Sequence, residues 1–226
     1  MSTISLLRDY PLFANLSESE LESVAARLVK RAFAKGAYLY YPGNPSLNMY
    51  LIESGLARLF FCNERGQEFM VNLAGPGSVV GLVMLMKGQA RIMGAAAQQP
   101  LVALSLSQED VFHFMETFPR FHHNVLLEIS LTLRKLTLQY QISVTVSLRG
   151  RLVLLVLYLA QNKSEFDLPV TQAELATWIG SSRGRFNRTM GELQQLGVIR
   201  LEGQTITILD RQGLENLTEG MLTSVM

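Results

Sequence analysis

The chain has 226 residues, a formal net charge of +1 and one cysteine. That length is enough for two compact domains with real cores, while near-neutrality means that affinity for a polyanion has to come from local clustering of basic side chains. The lone Cys62 excludes an intramolecular disulfide framework, argues against a cysteine-ligated cluster or zinc site within one chain, and fits a reducing compartment. The segment MSTISLLRDYPLF has no apolar run behind a basic start, and no apolar stretch reaches the ~20 residues that a membrane helix needs. The expectation is a cytoplasmic protein with no membrane partner.

The first helix is expected in SESELESVAARL, where Ser17 and Glu20 have the spacing of a capping box ahead of Leu21, Val24 and Leu28. Between Gly36 and Gly94, glycines separate short runs such as YLYY, MYLI, ARLFF and EFMVNL, which read as strands. The runs are too short for βαβ crossovers, so antiparallel strands in a sandwich, barrel or roll are expected. Residues 81–97, GLVMLMKGQARIMGAAA, are markedly apolar, with Met84, Met86 and Met93 read as core filler. VALSLS reads as a last strand, and SQEDVFHFM as a helix start with a cap-like Ser107 and Asp110 pair before the break at Pro119.

Beyond Pro119, Leu126, Ile129, Leu133, Leu136 and Tyr140 are spaced 3, 4, 3 and 4 apart, the pattern of a heptad seam. The favoured reading is a dimer interface; burial against the chain's own domain is the rival. SVTVSLRG, with β-branched residues and a glycine, is expected to interrupt the helix as a hinge, a new domain beginning near Leu148.

After the hinge come a buried helix, RLVLLVLYLAQ, a polar loop, and VTQAELATWIGSSRGRFNRTMGELQQLGVIRLEGQTITILD. Thr171 and Glu174 have capping-box spacing, Gly180 makes a turn, and Ser181 or Ser182 caps a second helix. The strands IRL and TITIL form a hairpin behind it, so the pattern spells a winged helix-turn-helix. On the second helix Phe186, Met190 and Leu193 mark the buried stripe and Arg183, Arg185 and Arg188 lie off it, with no acidic residue between Leu175 and Gly191. A helix of this kind fits the major groove, and a planar guanidinium can make two hydrogen bonds to guanine O6 and N7. Arg183 and Arg188 are the expected base readers; Ser182, Arg185 and Gln172 suit phosphates, and Thr171, Gly184 and Asn187 complete the DNA-facing set. The competing reading is a ligand-binding or protein-interaction module that keeps the winged helix without specific DNA affinity.

This pattern closely resembles the C-terminal domain of the Crp/Fnr-type bacterial transcription regulators, and the resemblance runs over nearly the whole chain. PLFANLSESELESVA is similar to the family's N-terminal helix, KGAYLYYPGNPSLNMYLIESGLARLF to the opening strands of its cyclic-nucleotide-binding-type β-roll, and GPGSVVG to the approach to its effector pocket. The resemblance implies an α+β chain in three parts: residues 1–118 an antiparallel β-roll of the double-stranded β-helix type, residues 119–147 a long dimerisation helix and hinge, and residues 148–226 the winged helix-turn-helix. It also implies a homodimer on a palindromic operator and an effector bound in the roll. Activation would need a surface for RNA polymerase, which no motif marks.

Two departures from the family stand out. Gly184 takes the place of a glutamate that reads a cytosine amino group, so a more permissive half-site is expected there. In the pocket cassette Gly81 and Arg91 match the family, but Leu82 replaces a glutamate and Ile92 a hydroxyl residue, beside Val83. Losing two such hydrogen bonds at ~1–3 kcal/mol apiece would weaken a cyclic nucleotide by roughly two to four orders of magnitude. Cyclic AMP is therefore not the expected effector; either side chains fill the former pocket, or a different small molecule, apolar or anionic, meets Arg91 there. No cofactor, metal or enzymatic activity is expected: His113, His122 and His123 lack ligand-set spacing, and no Walker loop, G-x-S-x-G or H-E-x-x-H is present.

Overall fold

The computed structural model describes residues 3–88 and 90–218. The chain divides into two compact units, Met1–Leu133 and Arg134–Met226.

In the first unit, α1 (Thr3–Leu7) and a 3-10 turn (Pro11–Phe13) precede α2 (Glu18–Ala25), so the expected opening helix is the second one. Both halves of its capping box form: the Glu20 amide donates to Ser17 Oγ at 3.3 Å, and the Ser17 amide to Glu20 Oε2 at 2.6 Å. Among the described residues eight strands follow: β1 (Val29–Phe33), β2 (Tyr38–Tyr40), β3 (Asn48–Ser54), β4 (Ala57–Cys62), β5 (Glu68–Ala74), β6 (Val79–Val80), β7 (Gly94–Ala97) and β8 (Leu101–Ser107). They make two four-stranded antiparallel sheets, β1-β8-β3-β6 and β2-β7-β4-β5. Leu39, Ala57 and Ala95 from one sheet and Ile52, Val80 and Ala103 from the other share one buried cluster, so the roll is closed by apolar faces turned toward each other.

A second cluster joins the roll to the helices. Leu51, Leu104 and Leu106 meet Leu12, Phe13, Leu21 and Val24, together with Val111 and Phe114 of α3 (Gln108–Thr117) and Phe121 and Val125 of α4 (Pro119–Thr145). Phe121 stacks on Phe13 at 5.7 Å and meets Phe114 edge-on at 6.1 Å; removing one such buried ring would cost about 3–5 kcal/mol. The Tyr10 hydroxyl donates to the carbonyl of Ile52 at 2.6 Å, pinning the helical segment to β3.

The hinge is shorter than expected. Helix α4 runs on through Ser143, Val144 and Thr145, where the hydroxyls of Ser143 and Thr145 donate back to the carbonyls of Tyr140 and Gln141 at 2.7 and 2.9 Å, the local bonding by which such residues are accommodated inside a helix. The division between units falls inside α4.

The second unit contains α5 (Leu148–Ala160), β9 (Glu165–Asp167), α6 (Gln172–Trp178), α7 (Arg183–Gln195), β10 (Ile199–Glu202), β11 (Thr205–Ile208) and α8 (Arg211–Asn216). The expected polar loop holds β9, which pairs with β11 and makes the wing a three-stranded sheet, β10-β11-β9. Thr205 Oγ1 donates to Asp167 Oδ1 at 2.6 Å, a cross-strand contact that polar residues can supply without an apolar pattern.

Candidate nucleic-acid interface

Helix α6 begins with the predicted capping box: the Glu174 amide donates to Thr171 Oγ1 at 3.3 Å and the Thr171 amide to Glu174 Oε2 at 2.9 Å. The Thr171 hydroxyl also donates to Glu174 Oε2 at 2.8 Å, so its proton is spent inside the cap. Thr171 is exposed at the start of α6, with its hydroxyl held by the cap. Leu175 is buried as predicted, whereas Trp178 and Ile179 are half-buried.

The second helix is capped by Ser182, whose Oγ accepts from the Arg185 amide at 3.4 Å. The cap uses the oxygen as an acceptor and leaves the hydroxyl proton for an anion. Phe186, Met190 and Leu193 are buried with Thr189. Arg183, Gly184, Arg185, Asn187 and Arg188 are all exposed, and none of the ion pairs among the described residues involves these arginines.

The helix is flanked by two clefts. One, of about 380 Å³, is lined by Thr171, Gln172, Ala173, Arg183, Gly203 and Gln204, bringing the starts of α6 and α7 to the tip of the wing. The other, of about 280 Å³, has Ser147, Leu148 and Arg149 at the start of α5 facing Arg185, Arg188, Thr189 and Glu192. Arg183 and Arg188, expected to act alike, therefore border different clefts. Gln204 at the wing tip and Arg149 at the start of α5 were missed by the sequence reading; both sit where a turn or hinge was expected, and only topology brings them to α7. Gln194 Oε1 accepts from the Leu201 amide at 3.1 Å and so ties the far end of α7 to the wing. No bulk blocks Gly184: a Cβ built there meets no atom within 4 Å.

In the roll the candidate effector residues separate. Leu82 is buried in the helix-facing core, whereas Val83 and Ile92 are exposed, Ile92 to 61%. Val83 opens the 3-10 turn (Val83–Gly88) that follows β6, and Ile92 lies beyond that turn, ahead of β7. Arg91 is buried to 3% exposure; Nη1 donates to the carbonyl of Gly81 at 2.6 Å and Nη2 to that of Asn48. Its guanidinium lies 4.1 Å from the centroid of the Tyr40 ring. Burial lowers the Arg91 pKa and raises that of Tyr40 to about 12. Met84 and Met93 are half-buried; the Met86 side chain lies outside the described residues.

Along α4, Leu126, Leu133, Leu136 and Tyr140 are exposed, Leu133 to 64% and Tyr140 to 72%, and Leu127, Leu131 and Val144 widen the apolar face. Ile129, expected on the same seam, is half-buried and packs on the core of its own unit.

Residues 150–217 match the Crp-like helix-turn-helix domain, and residues 30–118 the cyclic nucleotide-binding domain. The chain belongs to the Crp/Fnr family. A cyclic AMP receptor protein of Thermus thermophilus is 27% identical over 215 residues, covering 95% of this chain and 100% of that one. A global nitrogen regulator of Synechocystis is 27% identical over 213 residues, covering 90% and 94%. A solved Crp/Fnr-family structure from Eubacterium rectale superposes with a TM-score of 0.78 at 18% identity, over 94% of this chain and 100% of that one. As a Crp/Fnr protein with a Crp-like helix-turn-helix, the chain is a DNA-binding transcription regulator. Among the described residues no helix is long and apolar enough to cross a membrane.

Proposed function

We propose that the protein binds a palindromic operator as a homodimer and that cyclic AMP does not control it. The observation that carries the DNA reading is the start of α7: exposed arginines without ion pairs, a Ser182 hydroxyl proton free to donate, and clefts on either side. In this reading Arg183 and Arg188 meet base edges, while Ser182, Arg185 and Gln172 hold phosphates. Asn187 lies on the same exposed surface. The palindrome follows from two copies joined along the apolar face of α4, each presenting one α7 to a half-site about one helical turn from the other.

The effector reading rests on the pocket. The residues replacing the glutamate and the hydroxyl group cannot hydrogen-bond a ribose or phosphate: Leu82 faces the core and Ile92 solvent. Arg91 turns Nη1 and Nη2 to the carbonyls of Gly81 and Asn48, and its Nε is buried without a partner. The two relatives carry different signals in their names, cyclic AMP and nitrogen, so the effector has to be argued from this chain's own residues.

Fluorescence anisotropy with labelled duplex across a salt series tests the DNA reading. The logarithm of affinity should fall linearly with the logarithm of salt, with a slope of roughly −0.9 per phosphate contacted; a protein-interaction module would show no such binding. Thermal melting with cyclic AMP at physiological concentration should leave the transition unmoved, and a rise would overturn the effector assignment.

A further inference from the structure

Between α6 and α7 the backbone makes a tight turn. The Gly180 amide donates to the Thr177 carbonyl at 3.0 Å and the Ser181 amide to the Ala176 carbonyl at 2.8 Å, while Gly180 has φ +67°. This pattern leaves the carbonyl of Ile179 outside the helical hydrogen bonds. Arg151, on α5, supplies its partner: Nη1 donates to it at 2.9 Å. The guanidinium is packed into the turn, since Nε is buried with no hydrogen-bond partner and a Cβ at Gly180 would lie 3.3 Å from Nη1. Arg151 takes part in none of the ion pairs among the described residues. A second contact runs the same way: Tyr158 of α5 meets Trp178 edge-on, with centroids 5.8 Å apart.

We propose that Arg151 is a positioning residue for DNA recognition, fixing from α5 the turn that aims α7; this rests on the reading of α7 as the DNA-contacting helix. The lever is short but stiff. Arg183 and Arg188 are separated by about 7.5 Å of helix rise, so a tilt of ~10° at the turn moves one relative to the other by about 1 Å. That exceeds the ~0.5 Å within which a recognition constellation has to be held. A guanidinium turned inward onto a carbonyl is not a phosphate contact, so Arg151 acts on discrimination between duplexes and not on the electrostatic part of binding.

Arg151→Met and Arg151→Lys in the full chain test this. Each is titrated with a duplex enriched from a random pool and with a scrambled duplex, across a salt series, while the emission of Trp178, the only tryptophan, reports on the turn directly. Arg151→Met is expected to bind the enriched duplex about tenfold more weakly, with the scrambled duplex and the salt slope unchanged and Trp178 emission altered. Arg151→Lys, which keeps one donor to the Ile179 carbonyl, should recover most of the loss. A salt slope reduced by about one would make Arg151 a direct phosphate contact; equal weakening on both duplexes, or no change in affinity and emission, would also overturn the proposal. Should Arg151→Met fail to fold, Gly180→Ala decides, since it presses a methyl against the same guanidinium: wild-type discrimination and unchanged Trp178 emission in that variant would sink the idea. A wild-type chain that enriches no duplex fails the operator reading instead, and the variants' Trp178 emission still shows whether Arg151 fixes the turn.

Discussion

Gly81→Ala should destabilise the roll more than Gly36→Ala, although both glycines have φ +85°. At Gly36 a Cβ would meet nothing within 4 Å, so only the left-handed backbone opposes alanine, at about 1–2 kcal/mol. At Gly81 the same methyl would sit 2.6 Å from Arg91 Nη1. The guanidinium has to move, and the hydrogen bond most exposed to that movement is its own to the Gly81 carbonyl. A buried bond from a charged donor is worth about 1.5–3 kcal/mol, so the two variants should differ by roughly that amount. Denaturant unfolding followed by far-ultraviolet circular dichroism measures the difference, while Trp178 in the second unit serves as an internal control that neither variant should shift. Equal destabilisation within about 0.5 kcal/mol would refute the claim that Arg91 is held tightly by the Gly81 carbonyl.

Three other outcomes are expected. Leu133→Glu combined with Leu136→Glu places charges on the exposed face of α4 and should turn a dimer into a monomer in sedimentation, with operator affinity falling at least tenfold; an unchanged sedimentation coefficient would remove α4 as the interface. Gly184→Glu has room for its side chain and should sharpen the preference at one base pair of each half-site by about 1–3 kcal/mol, visible in competition with substituted duplexes. Ser182→Ala removes the cap of α7 and should cost about 1 kcal/mol of stability in the second unit, together with one phosphate contact read as a shallower salt slope.

The sequence was most informative where local chemistry decides the structure. Ser17 with Glu20 and Thr171 with Glu174 close reciprocal capping boxes, while Ser107 and Ser182 each cap a helix by accepting one amide, from Asp110 and Arg185; all four are bonds within a few residues, and all of them form. Strands β1 and β9 carried no signal of that kind, since VKRAF is mostly exposed and EFD is short and polar. The GAAA of β7 carried no strand signal either, and only the fold shows Phe60 against Gly94, leaving no room for a side chain there. Ile129 followed the heptad spacing yet turned to its own core, because a helix that packs on one domain and exposes a second face carries two overlapping stripes. The exposed arginines of α7 were legible one by one; their distribution over two clefts was not, since Arg149 and Gln204 come from elements distant in sequence.

Selection of random duplex DNA by the purified protein with no effector added, followed by sequencing, tests the central claim most directly. The account predicts enrichment of an inverted repeat whose half-sites lie about one helical turn apart, with loose preference at the pair facing Gly184. Folded protein that enriches no sequence, or only an unpaired half-site, would contradict an effector-free dimer reading a palindrome.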